Sequence, residues 1–119
     1  MKYLINKRMN MKIINLTGHD IYVRTNEGEA VFKSDGSYPR IKIDYTLFDT
    51  IKTEGVEIDI CKSEFKEVYN LPEKREGVYY IVPLPIALTA KDRDDLIFPT
   101  GLVRDENGVV KACKGFAKI

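Results

Sequence analysis

The sequence has two cysteines, one histidine and no long apolar run, and each shortage narrows the possible functions. Cys61 and Cys113 are far apart in the chain and belong to no Cys-x-x-Cys pattern, which argues against a zinc site. No apolar segment is long enough to cross a bilayer, and Met1–Ile5 is too short for the apolar core of a signal peptide. We therefore expect a cytoplasmic protein that holds no metal.

The chain also lacks an excess of charge of either sign. It contains 19 basic and 18 acidic residues, which are spread evenly over its two halves. A basic face or tail is the electrostatic mark of proteins that bind nucleic acids or membrane surfaces. No glycine-rich phosphate loop lies between a strand and a helix either. We expect neither a nucleic-acid polymer nor a membrane as partner, and no cofactor.

The length of 119 residues and a hydrophobic fraction of 44% fit one globular domain with its own core. The alternating pattern begins at Lys12, and Met9 and Met11 are alternative starts. We therefore expect a loose N-terminal extension over residues 1–10 and a single globular domain over residues 11–119.

Alternation of apolar and polar residues predicts strands through most of the domain. In Val56–Cys61, for example, Val56, Ile58 and Ile60 are expected to face the core. Val78–Leu84 is almost continuously apolar, which is typical of a central strand. The aromatic residues of the strand patterns are expected to be mainly core, with one or two tyrosines facing outward: Tyr22, Phe32, Tyr45, Tyr79 and Tyr80.

Two local signals complete the expected fold. Pro83 and Pro85 favour a short helix through Ile86–Lys91, because proline is tolerated in a first helical turn. Asn107-Gly108 predicts a tight hairpin in which both central residues take positive φ. The predicted fold is mostly β (α+β): a small antiparallel sheet or partly closed barrel with one or two short helices.

Charged residues are dense in the last thirty positions, in Asp92-Arg93-Asp94-Asp95 and again in Arg104-Asp105-Glu106. Arginines can hold phosphate, and carboxylates can accept hydrogen bonds from ribose hydroxyls. Solvated turns and charges that protect a hairpin edge are the structural alternatives. The candidate ligand-binding residues are Arg93, Asp94, Asp95, Arg104, Asp105 and His19.

Cys113 is the one candidate nucleophile, because Lys111 and Lys114 flank it and could lower the pKa of its thiol. His19 would have to act as its base, and the sequence offers no third group to orient the pair. A packed strand cysteine is the favoured interpretation, and likewise a lone histidine beside a turn is usually a structural group. We assign no catalytic residue.

Several motifs together resemble a small family of uncharacterised proteins from bacteria and their phages. They include Asn15-Leu16-Thr17-Gly18-His19, Asp92-Arg93-Asp94-Asp95-Leu96, Val103-Arg104-Asp105 and Cys113-Lys114-Gly115-Phe116. Gly18 departs from the family pattern, where proline is expected, and this relaxes the turn before His19. The resemblance implies no established activity. By association with mobile elements it suggests a counter-defence protein that sequesters a nucleotide-derived signal in the host cytoplasm.

The leading hypothesis is a non-enzymatic, homo-oligomeric binder of a small anionic or nucleotide-like ligand. One alternative is a protein–protein interaction module that inhibits a host protein. Another is a small hydrolase or transferase that uses the aspartate cluster, although no complete acid–base–nucleophile set is visible.

Overall fold

The computed structural model describes residues 11–119, so the expected N-terminal extension over residues 1–10 lies outside the described residues. The described part contains eight strands and one helix. They are β1 (Lys12–Asn15), β2 (Ile21–Thr25), β3 (Gly28–Phe32), β4 (Arg40–Thr53), β5 (Val56–Tyr69), β6 (Val78–Ile81), α1 (Leu84–Thr89), β7 (Leu96–Arg104) and β8 (Val110–Ala117).

Six strands form one curled sheet in the order β1-β6-β7-β8-β2-β3, and with α1 they make up what we call the body. The mostly β fold with one short helix is confirmed. An antiparallel sheet was one of the two expected arrangements. The observed sheet is mixed, because β1–β6, β6–β7 and β8–β2 are parallel pairs. The helix α1 supplies the crossover that a parallel β6–β7 pair needs.

The curl of the sheet brings its two edge strands together at one end. A parallel bridge joins Asn15, the last residue of β1, to Ser34, just after β3. The N–H of Asp35 also donates to the carbonyl of Asn15 at 2.9 Å. The sheet is therefore a half-barrel, in line with the partly closed barrel that the sequence predicts.

The core lies on both faces of β6, because successive side chains of a strand point to opposite sides. Tyr80 and Val82 pack with α1 in one cluster. Ile81 lies in the other cluster, with Ile97 of β7 and Cys113 of β8. The buried strand predicted from Val78–Leu84 is present but shorter, because β6 ends at Ile81 and Leu84 begins α1 with 44% of its surface exposed.

The helix α1 begins two residues before its predicted start, with Pro85 in its first turn. Its buried side chains are Ile86 and Ala87. No helix in residues 11–119 is long and apolar enough to cross a membrane.

The β7–β8 hairpin is present, but its turn is not the predicted one. Gly108 has a φ of 79°, whereas Asn107 is not among the residues with positive φ. The N–H of Gly108 donates to the carbonyl of Asp105, and the register slips by one residue next to Arg104. The connection is thus a three-residue loop with a glycine bulge, which needs positive φ at one position only.

The strands β4 and β5 form a separate two-stranded hairpin that we call the arm. Each strand has 14 residues, and Glu54 and Gly55 turn the chain with φ of 51° and 76°. The radius of gyration is 18.4 Å, against about 13.5 Å for a compact domain of this length. The arm therefore projects from the body.

The arm corrects one prediction about burial. Val56, Ile58 and Ile60, which were expected to face the core, keep 56%, 44% and 41% of their surface exposed. Tyr45 is 67% exposed and is thus one of the outward-facing tyrosines that the sequence allowed without identifying them. Alternation is correct for these strands, but no second layer of the described chain covers their apolar side.

Candidate functional site

The predicted ligand residues of the C-terminal third divide into two groups at opposite ends of β7. Arg93, Asp94 and Asp95 precede the strand, whereas Arg104 ends it and Asp105 follows. A nine-residue strand separates the two groups by roughly 25 Å. One chain therefore does not bring them together in a single site.

The first group is engaged in ion pairs. Arg93 donates from Nε to Oδ1 of Asp95 and from Nη2 to Oδ2, both at 2.8 Å. Asp95 is 3% exposed, and the hydrogen bonds to its carboxylate raise the pKa of Arg93. At the surface, the ammonium group of Lys74 pairs with Asp94 and lowers the pKa of that carboxyl. The planar fork of Arg93 is occupied by its own chain.

The second group shapes the β7–β8 turn and leaves one arginine charge unpaired. Oδ1 of Asp105 accepts the N–H groups of Asn107 and Val109 at 2.9 and 3.0 Å. Nη1 of Arg104 donates to the carbonyl of Gly108 at 2.8 Å. Among residues 11–119, no carboxylate lies within ion-pair distance of Arg104. Its charge is available to a ligand.

The sheet topology brings His19 to the same end as Arg104. The strands β2 and β8 are parallel and begin at one end of the sheet, where the antiparallel β7 finishes. His19 and Asp20 immediately precede β2, and Lys111 lies near the start of β8. Three segments that are distant in sequence thus converge on one surface.

Two adjoining depressions, which we call the groove, occupy this surface. The first has a volume of about 370 Å³ and is lined by His19, Tyr22 and Lys111 among others. The second, of about 460 Å³, is lined in part by Arg104 and Asp105 and shares Tyr22 and Lys111 with the first. Both volumes are of the size that small-molecule sites have.

The Asn15-Leu16-Thr17 part of the first motif is structural. Nδ2 of the buried Asn15 donates to the carbonyls of His19 and Phe32, both at 2.8 Å. Its Oδ1 accepts the N–H and the hydroxyl of Thr17, and Ser34 donates its hydroxyl to the carbonyl of Thr17 at 2.7 Å. This network closes the half-barrel and fixes the backbone of His19, whose side chain is exposed in the groove.

Cys113 also lines the groove, but its environment does not activate it. The residue is 2% exposed, and burial raises the pKa of its thiol. The carboxylates beside the groove are engaged as well: Asp20 accepts the N–H of Ser34 at 2.8 Å, and Glu29 pairs with Arg24 at 2.9 Å. These groups are held in structural roles.

Tyr22 and Lys111 were absent from the predicted site. The sequence allowed one or two outward tyrosines without identifying them, and Tyr22 is one of them: it is 41% exposed and lines both depressions. Its strand pattern is visible in the sequence. Tyr22 and Lys111 come together because β8 pairs with β2. No local pattern in the sequence predicts that pair.

The chain matched no family model, no curated protein and no solved structure. The family resemblance of its motifs, with the counter-defence role that it suggests, stays a prediction. Residues 11–119 contain no cluster of three or more histidine, cysteine, aspartate or glutamate side chains placed to hold a metal ion.

Proposed function

We propose that the protein binds a small phosphate-containing ligand in the groove and holds it without chemical change. The observation that carries the proposal is the unpaired guanidinium of Arg104, which shares a depression with Tyr22 and Lys111. An arginine whose charge is not matched by a carboxylate is suited to bind phosphate through two N–H donors. His19, which lines the other depression together with Tyr22, is a further donor.

Tyr22 supports a ligand with an aromatic part. Its ring is partly exposed and lies between the depression of Arg104 and the depression of His19. A nucleobase stacked on such a ring gains about 1–3 kcal/mol, whatever its identity. A nucleotide-like molecule would thus use both features, with its phosphate at Arg104 and its base on Tyr22.

Binding without turnover is supported by the state of the reactive groups. The thiol of Cys113 has a raised pKa and is therefore protonated at neutral pH. Asp20 and Asp105 accept backbone N–H groups. The thiol and the carboxylates of the groove thus serve the fold, and hydrogen-bond donors and an aromatic surface remain for a ligand.

A thermal-shift series with ADP-ribose, AMP and cyclic AMP tests the proposal, with ribose as the phosphate-free control. A ligand at 100 times its Kd stabilises the fold by about 2.7 kcal/mol, which raises the Tm by several degrees. We expect Arg104→Ala to weaken the binding of a responding nucleotide about 10–100-fold in titration calorimetry. Tyr22→Ala should weaken it as well, whereas Tyr22→Phe keeps the stacking surface.

Arg40 and Tyr38 offer matched controls, because this exposed cation and aromatic ring line neither depression. Arg40→Ala and Tyr38→Ala should leave nucleotide affinity unchanged. The proposal is wrong if no nucleotide in the series shifts the Tm, or if Arg104→Ala and Arg40→Ala bind a responding nucleotide equally well.

A further inference from the structure

The arm has the unusual combination of great length, apolar side chains and little support from the body. An isolated two-stranded hairpin is at best marginally stable in water. Among the elements of residues 11–119, only α1 contacts the arm over several residue pairs. Ile41 and Val68, at the foot of the arm, join the core cluster beside α1. Most of the arm therefore stands clear of the body.

Apolar side chains form two patches on the arm. The stem patch consists of Tyr45, Leu47 and Phe65. Tyr45 and Leu47 lie on the same face of β4 as Ile43, and Phe65 of β5 shares that face because it pairs with Ile43. The tip patch lies on the opposite face and consists of Phe48, Ile51, Val56, Ile58 and Ile60. All eight side chains are 40% to 67% exposed.

The change of face occurs at a β-bulge. The register shifts between Leu47 and Asp49, so that Phe48 is the extra residue. Lys62 is two residues from Ile60 on β5, so its side chain lies on the face of the tip patch. Its Nζ is 4.9 Å from the centre of the Phe48 ring, which places Phe48 on the same face. Two-stranded ribbons twist strongly, and a bulge increases the twist. Two patches on opposite faces of a ribbon reach a common side only where the ribbon twists by about a half-turn between them.

The exposed apolar area is that of an interface. At about 200 Å² for a fully exposed side chain of this size, the eight residues expose on the order of 800 Å² per chain. A standard protein–protein interface takes about 800 Å² from each partner. The two patches of one chain match that contribution.

Charge on the arm favours one orientation of two copies. The tip half, residues 48–60, has four carboxylates and one lysine, whereas the stem half, residues 40–47 and 61–69, has four cations and three carboxylates. Tip against tip would bring two acidic segments together. Tip against stem places opposite net charges side by side, which favours an antiparallel pair of arms.

We propose that the arm pairs with the arm of a second copy of this chain in an antiparallel, two-fold arrangement, with each tip patch packed on the stem patch of its partner. A closed two-fold contact uses the same surface on both chains, and the two patches of one arm form such a surface once the twist of the ribbon brings them to one side. The inference rests on the arm alone and is independent of ligand binding in the groove.

Sedimentation equilibrium of the full chain and of two variants tests the pairing. The wild type should have a mass of about 27 kDa, twice the 13.7 kDa of the chain. Ile58→Lys places a charge in the tip patch, and we expect the mass to fall to that of the monomer. Thr50→Lys is the matched control, because Thr50 pairs with Asp59 on the polar face of the tip. It should remain a dimer.

Circular dichroism verifies that each variant is folded, and Ile60→Lys provides a second charge in the tip patch. A wild type that sediments as a 13.7 kDa monomer, including one that joins only a different protein, overturns the proposal. So does a dimer that persists in both Ile58→Lys and Ile60→Lys while these variants are folded.

Cys61 tests the orientation of the arms. This exposed cysteine pairs with Leu47 near the middle of the arm, where the two-fold axis of an antiparallel pair would pass. A short bifunctional maleimide should link two chains of the wild type, and Cys61→Ser and Ile58→Lys should abolish the cross-link. A dimer that gives no cross-link contradicts the antiparallel arrangement.

Discussion

The body and the arm are built from the same kind of strand, yet only the body has a core. Every hydrophobic side chain found buried in the described residues belongs to the body, whereas the arm leaves nine large apolar side chains at least 40% exposed. Alternation in β5 is as regular as in β2. Period-two alternation thus identifies a strand with one apolar face, and the partner of that face must be determined from the packing.

The largest difference in stability between the body and the arm is expected when one buried isoleucine of the body and one exposed isoleucine of the arm are each replaced by alanine. Ile81→Ala in the body removes a side chain with no exposed surface, and we expect the free energy of unfolding to fall by about 4 kcal/mol. Ile58→Ala in the arm should cost less than about 1 kcal/mol in a chain held monomeric by Ile60→Lys. Urea denaturation measures both, and equal losses would mean that the arm is packed as the body is.

The next largest loss of stability is expected from breaking the hydrogen bonds that close the half-barrel. Asn15→Ala removes four side-chain hydrogen bonds and takes the amide donor from the carbonyls of His19 and Phe32, although His19 keeps the hydroxyl of Thr17 as a donor. We expect a loss of about 3 kcal/mol in the free energy of unfolding. Asn26→Ala, in the exposed turn between β2 and β3, should change it by less than about 0.5 kcal/mol. A similar small change in both variants would contradict a structural role for Asn15.

The two arginines at opposite ends of β7 should differ in stability. Arg93→Ala leaves the carboxylate of Asp95 buried without its cation, and we expect a loss of about 2–3 kcal/mol. Arg104→Ala loses one exposed hydrogen bond to Gly108 and should cost less than about 1 kcal/mol. Thermal or urea unfolding measures the stability of both variants. An equal loss would contradict the view that Arg93 stabilises the fold whereas Arg104 is available to a ligand.

The smallest effects concern the two cysteines. Cys61 in the arm is exposed, and Cys113 in the body is buried. In the monomeric Ile58→Lys variant, a thiol reagent should modify Cys61 rapidly and Cys113 only when the body opens. Rapid modification of Cys113 in the folded Cys61→Ser variant would contradict its burial.

Burial raises the pKa of Cys113 in the folded state, so its contribution to stability is present below the ordinary thiol pKa. That contribution decreases as the pH rises above this value, because the unfolded thiol ionises while the folded one stays neutral. Cys113→Ala should reduce the alkaline loss of stability in urea titrations, whereas Cys61→Ser should keep it. An unchanged pH dependence in Cys113→Ala would contradict the raised pKa.

The sequence predicted local structure better than the site. Continuous apolar residues before Pro83 indicated the buried β6, and Pro83 and Pro85 indicated α1. The β1–β6 and β8–β2 pairs join segments that are distant in the chain, and no local pattern encodes them. The sequence alone therefore could not separate Arg93 from Arg104, or place Tyr22 beside Lys111.

Hydrogen exchange of the wild type and Ile58→Lys most directly tests the division between a self-supporting body and an arm that needs a partner. We predict slow exchange of the body amides in both proteins, and arm amides that exchange slowly in the wild type and rapidly in Ile58→Lys. Backbone amides that are hydrogen-bonded but poorly packed exchange by local opening, which the partner arm would suppress. Equal protection of the arm amides in both proteins would contradict the account.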